Sequence, residues 1–396
     1  MTVQHFWPRK NEEKLSKSTN KVYSNDHINI IDIKVNKEET LLALMNDPSV
    51  RYIEPADYNF NENNQIRSSK GCDRSQKDIK EADYRIITPN AKVPWSFDKH
   101  KIPEAWEYST GKNITIAIID TGLSPEQKLM NESFNSGDSS ERTVQKYGTF
   151  VDSWLPWSNN YDGVNDKCGH GTSMASVATA PRNNSNLPMG VAYNANLISY
   201  RAVEDVVIDD YHEKRGISEA LTALANRNDV KIISMSLGYP FSIGRVKDAI
   251  RYAYRKGKMI LAAGGTSTAY TTWYGVIFPA SMEETVAVTG VKENIYEKCD
   301  DCHTGSKIDF TIQMQRTNGT SNNIPILSYY NDNSDYEGGS SVATATTAGI
   351  AALVWSKNPN WTREQVLQKI KKSSDFYPAK HPEFGYGNIN VLKAVQ

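Results

Sequence analysis

An α/β fold, with a mostly parallel central sheet flanked by helices and a small α+β segment ahead of it, is predicted by three features of this 396-residue chain. After about Val93, short apolar runs alternate with helix-like stretches, the pattern of a parallel sheet covered on both faces. The apolar fraction of 39% is ample for the core of one large domain plus a small one. Upstream, a brief β-α-β pattern is set off from the rest by a polar, charge-mixed stretch over residues 61–83 with almost no aliphatics.

In chain order, residues 27–35 read as a strand, with Ile31, Ile33 and Val35 alternating against Asp32 and Lys34. Asn36 and Glu39 form a capping-box pattern for a helix over 37–45, which Asp47-Pro48 stops, and 50–53 reads as a second strand. Strands are expected at 114–119, 195–202, 230–237, 258–263 and 285–291. Helices are expected at 217–226 and from a Ser242 cap through Val246, Ile250 and Ala253 to Gly257. Thr362 and Gln365 form a further capping box for a helix reaching about Lys372. The expected organisation is a segment over 1–60, a linker or processing region over 61–92, and the main domain over 93–396.

Composition excludes some functions. Lys+Arg of 45 against Asp+Glu of 46 leaves no basic excess, so nucleic acid is not an implied partner. No run approaches about eighteen consecutive apolar residues, and the first 25 residues carry charge (Arg9, Lys10, Glu12, Glu13) without a hydrophobic centre. The opening therefore reads as neither a membrane span nor a signal peptide: either the protein stays inside the cell or its true start lies upstream of Met1. Four cysteines, Cys72, Cys168, Cys299 and Cys302, are too few for a disulfide framework in a chain of this size and leave the compartment open.

Three short motifs carry chemistry. Ile118-Ile119-Asp120-Thr121-Gly122 puts a carboxylate at the C-terminal end of a buried strand, where sites in open α/β sheets collect. Asp-Thr-Gly also occurs in aspartic proteases, but the motif occurs once here and the pattern is not all-β. Read alone, Asp120 could simply cap the turn after a strand. Gly169-His170-Gly171 starts a small-residue helix; glycines on both sides suggest backbone brought close to something, although a lone histidine is more often an ordinary residue. Gly338-Gly339-Ser340-Ser341 opens an apolar helix, placing Ser341 where free N–H groups and the helix dipole stabilise negative charge; a helix-capping serine is the plainer reading of that stretch by itself. Together the three supply a weak nucleophile, an imidazole to take its proton and a carboxylate to orient the imidazole.

With these residues in order, the chain resembles the subtilases, the subtilisin-like serine proteases. IAIIDTG, GHGTSMAS, ISMSLGYP and the glycine-serine stretch occur in the family's order, with GVAYNANL and WSKNPNWT as lesser matches, from about Val93 to Gln396. The resemblance implies the subtilisin-like three-layer fold, serine endopeptidase activity on polypeptides, and Asp120, His170 and Ser341 as the triad. It also implies that Ser236, Leu237 and Gly238 are the strand edge that pairs with the substrate backbone, with Ala263 and Gly264 also contacting substrate. Residues 27–58 resemble the C-terminal half of the family's propeptide, an intramolecular inhibitor and chaperone, whose first half has no clear counterpart in residues 1–26. Secretion is the compartment the resemblance favours.

The chain departs from the family pattern at several points. Gly265 stands where subtilases carry an asparagine that holds the oxyanion; Thr266, one residue on, is the candidate replacement donor. Ser340 replaces a threonine and Ala345 a proline around Ser341. Leu129 stands at the strong calcium position, and Asn183-Asn184-Ser185 is only a faint echo of a calcium loop, so no cofactor is required and a structural calcium is not predicted. Cys299-Asp300-Asp301-Cys302-His303 is open to four readings: haem attachment, a disulfide, zinc ligation, or a surface loop with no site. The alternative to an enzyme is a pseudoprotease that binds peptides or partners, supported by Gly265 and opposed by the intact triad.

Overall fold

The computed structural model describes residues 2–5, 21–56, 71–266, 275–317 and 323–396. Strands β1 (Thr2–His5), β2 (Lys21–Asn25), β3 (Ile30–Ile33) and β4 (Val50–Glu54) form an antiparallel sheet in the order β2-β3-β1-β4, with helix α1 (Glu38–Met45) between β3 and β4. The N-terminal unit is thus larger than the β-α-β reading, because β1 and β2 come from the first 26 residues. Lys37, not Asn36, stands at the start of α1 and makes no side-chain cap.

A hairpin of β5 (Tyr84–Ile87) and β6 (Ala91–Pro94) and the short helices α2 (Trp95–Lys99) and α3 (Ile102–Ala105) lead into the main sheet. That sheet has seven strands: β7 (Thr115–Asp120), β8 (Val144–Gly148), β9 (Asn196–Arg201), β10 (Val230–Met235), β11 (Met259–Ala263), β12 (Val286–Lys292) and β13 (Phe310–Gln315). Their order is β13-β12-β11-β10-β7-β9-β8 and every pairing is parallel. The five inner strands match the sequence expectation to within a residue or two; β8 and β13, at the two edges, were not anticipated.

Period-two alternation decides the layers. Ile116 and Ile118 of β7 enter one core, with helices α4 (His170–Thr179) and α7 (Gly339–Lys357). Ala117 and Ile119 enter the other, with α5 (Tyr211–Ala225) and α6 (Gly244–Arg255). A polar Asp210–Glu213 capping box starts α5 six residues earlier than apolar spacing predicts, and Ile243 rather than Ser242 precedes α6. Strands β14 (Ile324–Leu327) and β15 (Ser334–Glu337) pair just before α7. Helices α8 (Arg363–Lys372), carrying the expected Thr362–Gln365 box, and α9 (Val391–Val395) close the chain. This is the subtilisin-like α/β architecture, and it sets the C-terminal ends of β7 and β10 side by side.

Candidate active site

Asp120 is the last residue of β7, a strand buried along its length. His170 opens α4 after Gly169, whose φ is 102°. A Cβ on Gly169 would lie 2.0 Å from the Asp73 carbonyl oxygen, and one on Gly171 would lie 2.4 Å from that of Gly122. The glycines flanking His170 are required because backbone from elsewhere presses on both sides of it.

His170 Nδ1 lies 2.8 Å from Asp120 Oδ1, with both side chains buried. A proton on Nδ1, donated to the carboxylate, leaves the lone pair on Nε2. Asp120 Oδ1 also accepts the Thr121 N–H at 2.8 Å, while Oδ2 is buried and has no hydrogen-bond partner among the described residues. Burial disfavours charge on the imidazole. The charge and hydrogen bond of Asp120, backed by Glu337 and Asp166, outweigh it and carry the His170 pKa up to about 9.

Asp166 and Thr121, to which sequence reasoning gave no role, fix the start of α4. Asp166 accepts the backbone N–H groups of Cys168, Gly169 and Thr172 and the hydroxyls of Thr121 and Thr172, and Thr121 Oγ1 accepts the Gly171 N–H. No standard sequence pattern flags Asp166, which lies three residues ahead of Gly169, the residue at the N-cap position of α4.

Ser341 is the third residue of α7, whose first residue, Gly339, has φ 75°. Ser341 Oγ donates to the Ser236 carbonyl at 3.5 Å, and Ser236 Oγ donates to the Ser341 carbonyl at 3.0 Å. Ser236 directly follows β10, the parallel neighbour of β7, and α4 packs against α7. Asp120, His170 and Ser341 are therefore gathered at one end of the sheet. No hydrogen bond joins Ser341 to His170 in this state; such contacts are often long until substrate binds.

Gly265 and Thr266 follow β11. The Gly265 N–H donates to Ser340 Oγ at 3.2 Å, and Thr266 Oγ1 lies 3.2 Å from that hydroxyl, one residue from Ser341. Gly265 has φ 128°, a conformation that favours glycine, and a Cβ there would also lie 2.4 Å from His303 Nδ1, so backbone and neighbour both oppose a side chain at this position. Ala263 and Gly264 are buried, and Gly264 is paired through its N–H to the Val288 carbonyl and through its carbonyl to the Ile277 N–H. Leu237 is buried too. Gly238 donates to the Val206 carbonyl at 2.9 Å and accepts the Ile208 N–H at 3.1 Å. At Gly238, then, the expected substrate edge is already paired with residues 206–208 in this state. By sequence the walls of the specificity pocket depend on loops such as Thr266 to Tyr274; of that loop, residues 267–274 lie outside the described residues.

The cysteines pair as Cys72–Cys168 and Cys299–Cys302. With its two sulfurs joined, the Cys-x-x-Cys-His segment has no thiol for haem attachment or zinc, and Cys299, Cys302 and His303 are buried, so it is not a bare surface loop. Among the described residues no group of three or more His, Cys, Asp or Glu is placed to hold a metal ion, and no helix is long and apolar enough to cross a membrane.

The model of the Subtilase family matches residues 111–388, well over half of the chain. The chain belongs to the subtilase family. It is 28% identical over 364 residues to the thermophilic serine proteinase of Bacillus sp. (strain AK1), covering 91% of this chain and 76% of that one. With subtilisin E of Bacillus subtilis (strain 168) the identity is 29% over 311 residues, covering 77% and 71%. The crystal structure of MycP1 with its N-terminal propeptide removed aligns at a TM-score of 0.59 and 22% identity, over 77% of this chain and 98% of that one, a likeness of fold. This subtilase is a subtilisin-like serine protease, a hydrolase acting on polypeptides.

Proposed function

We propose that this subtilase is an endopeptidase that cleaves peptide bonds through a Ser341–His170–Asp120 triad and an acyl-enzyme. The buried 2.8 Å contact between His170 and Asp120, set beside the first turn of α7, is the observation that carries the reading. Ser341 Oγ attacks the scissile carbonyl while His170 Nε2 takes its proton; Asp120 holds the ring and stabilises the imidazolium. The tetrahedral oxyanion faces the N-terminus of α7, where the Ser341 N–H and the helix dipole favour negative charge. Collapse breaks the C–N bond, and the imidazolium protonates the departing amine. Water, deprotonated by the same nitrogen, then releases the acid and restores Ser341. Thr266 is the further oxyanion donor in this reading, supported by its contact with Ser340.

The N-terminal unit acts as an intramolecular inhibitor and folding partner. Its support is a polar seam on α5 and α6: Asp32 meets Arg245 and accepts the Tyr211 hydroxyl, Tyr52 donates to Asp248, and Glu54 accepts the Gly244 N–H at the start of α6. MycP1 likewise has an N-terminal propeptide, which was removed in the solved structure that aligns here.

A fluorophosphonate probe tests the catalytic reading. Wild-type protein should be labelled at Ser341, and Ser341→Ala should lose both the label and peptide hydrolysis, by about 10⁶-fold, while remaining folded. Folded wild-type protein that takes no label and cleaves no peptide would instead be a peptide-binding relative.

A further inference from the structure

The Cys299–Cys302 loop delivers one buried side chain, His303, to the turn that carries Gly265 and Thr266. The imidazole occupies the volume a side chain at Gly265 would need: its Nδ1, Cγ and Cε1 lie 2.4, 3.0 and 3.2 Å from the Cβ position there. The same residue holds both ends of the 265–275 segment. Its backbone N–H donates to the Gly265 carbonyl at 3.0 Å, and its ring Nδ1 donates to the Gly275 carbonyl at 3.0 Å. Thr289 Oγ1 ties the His303 carbonyl to β12 at 2.6 Å, and Thr266 forms a bridge with Cys302.

We infer that His303 is a positioning residue for the oxyanion site, filling from a second loop the space vacated at Gly265 and holding the Gly265–Thr266 turn against Ser340. The inference rests on the acyl-transfer reading above. Packing alone does not account for an imidazole here. Its Nε2 is buried with no hydrogen-bond partner among the described residues, a cost that an apolar ring of similar shape would avoid. What the imidazole adds is the Nδ1–H bond to Gly275, which fixes the far end of the segment. Glycine at 265 and histidine at 303 thus form a coupled pair, and the glycine does not leave the site empty.

The test is an exchange, with kcat normalised to sites titrated by a fluorophosphonate. His303→Ala should lower kcat on the order of 10²-fold, the scale for a displacement of about 1 Å at a reacting centre, with KM little changed. His303→Gln, which can still donate to Gly275, should keep most of the rate. Gly265→Asn alone should be impaired both by the φ of 128° at that position and by collision with the ring; combining it with His303→Gly relieves only the collision and should recover roughly tenfold over the single variant, a non-additivity that general destabilisation does not produce. Wild-type kcat in His303→Ala, or a double variant no better than Gly265→Asn, overturns the inference. Should His303→Ala fail to fold, the comparison of Gly265→Asn with the exchange decides. Failure of the acyl-transfer reading is separate, since wild-type protein would then take no label at Ser341.

Discussion

Among single residues, His170 has the most distinctive electrostatics. Its pKa is raised to about 9 because Asp120, Glu337 and Asp166 together outweigh the burial that opposes its charge. A general base works only when neutral, so kcat/KM should climb with pH along a limb centred near 9, and a profile already flat from about 6.5 upward would contradict the assignment. Stability has the opposite sign. The imidazolium's contribution is complete below the unfolded pKa of about 6.5 and is lost as pH rises through about 9. Thr266 carries the second prediction at this scale: Thr266→Val should cost about 10²–10³ in kcat with little change in KM, the scale of one oxyanion donor. Unchanged kcat would remove Thr266 from the mechanism. The proposed catalytic residues, Asp120, His170 and Ser341, stood out in the sequence because each motif joins a reactive side chain to glycines or small residues. Asp166 and Thr121 were passed over because their hydrogen bonds to the start of α4 are contacts made only in the folded chain. His303 was beyond reach, since its contact with Gly265 joins residues far apart in sequence.

Elements divide in the same way. The inner strands announced themselves by runs such as Thr115–Asp120 and Met259–Ala263, buried on both faces. The edge strands did not, because β8 is VQKYG and half-exposed, and β13 alternates polar residues into an apolar run. Disulfide pairing is also a tertiary fact, and the two bonds should differ in weight. Cys72–Cys168 closes a sequence separation of 96 and Cys299–Cys302 one of 3. Loop-closure entropy assigns about 4–5 kcal/mol to the first and about 2 kcal/mol to the second. Urea unfolding of the Cys72→Ala/Cys168→Ala and Cys299→Ala/Cys302→Ala variants should reproduce that order; the reverse order would show that the short loop matters through packing around His303 more than through chain entropy.

At the scale of the whole molecule, the proposal that the N-terminal unit is a removable propeptide raises the question of where it ends. The polar, Lys/Arg-rich composition of the 61–92 region predicts a mature chain that begins between about Arg67 and Val93. Much of that stretch is built into the catalytic body. Cys72 is joined to Cys168, two residues from His170; Ser75 donates to Asp335; Ile79 is buried; and Asp83 pairs with Arg316 and Tyr336. A cut after Cys72 would leave the severed N-terminal piece linked to the enzyme by that disulfide, whereas a cut before Gly71 frees it. The N-terminal unit, for its part, is held by a polar seam whose centre is imperfect: Asp32 Oδ1 and two Arg245 nitrogens are buried without partners among the described residues. Such a seam gives register more than strength, because desolvation offsets most of the attraction of a buried pair. Removing one partner is different. Asp32→Ala strands the Arg245 charge and should weaken docking by about 3–5 kcal/mol, whereas replacing both with apolar residues should cost far less. The prediction is therefore that processing falls before Gly71 and that the released piece separates from the enzyme on a gel run without reductant. N-terminal sequencing of active enzyme that begins after Cys72, with the fragment still attached until reductant is added, would show instead that the disulfide holds a cleaved segment beside His170.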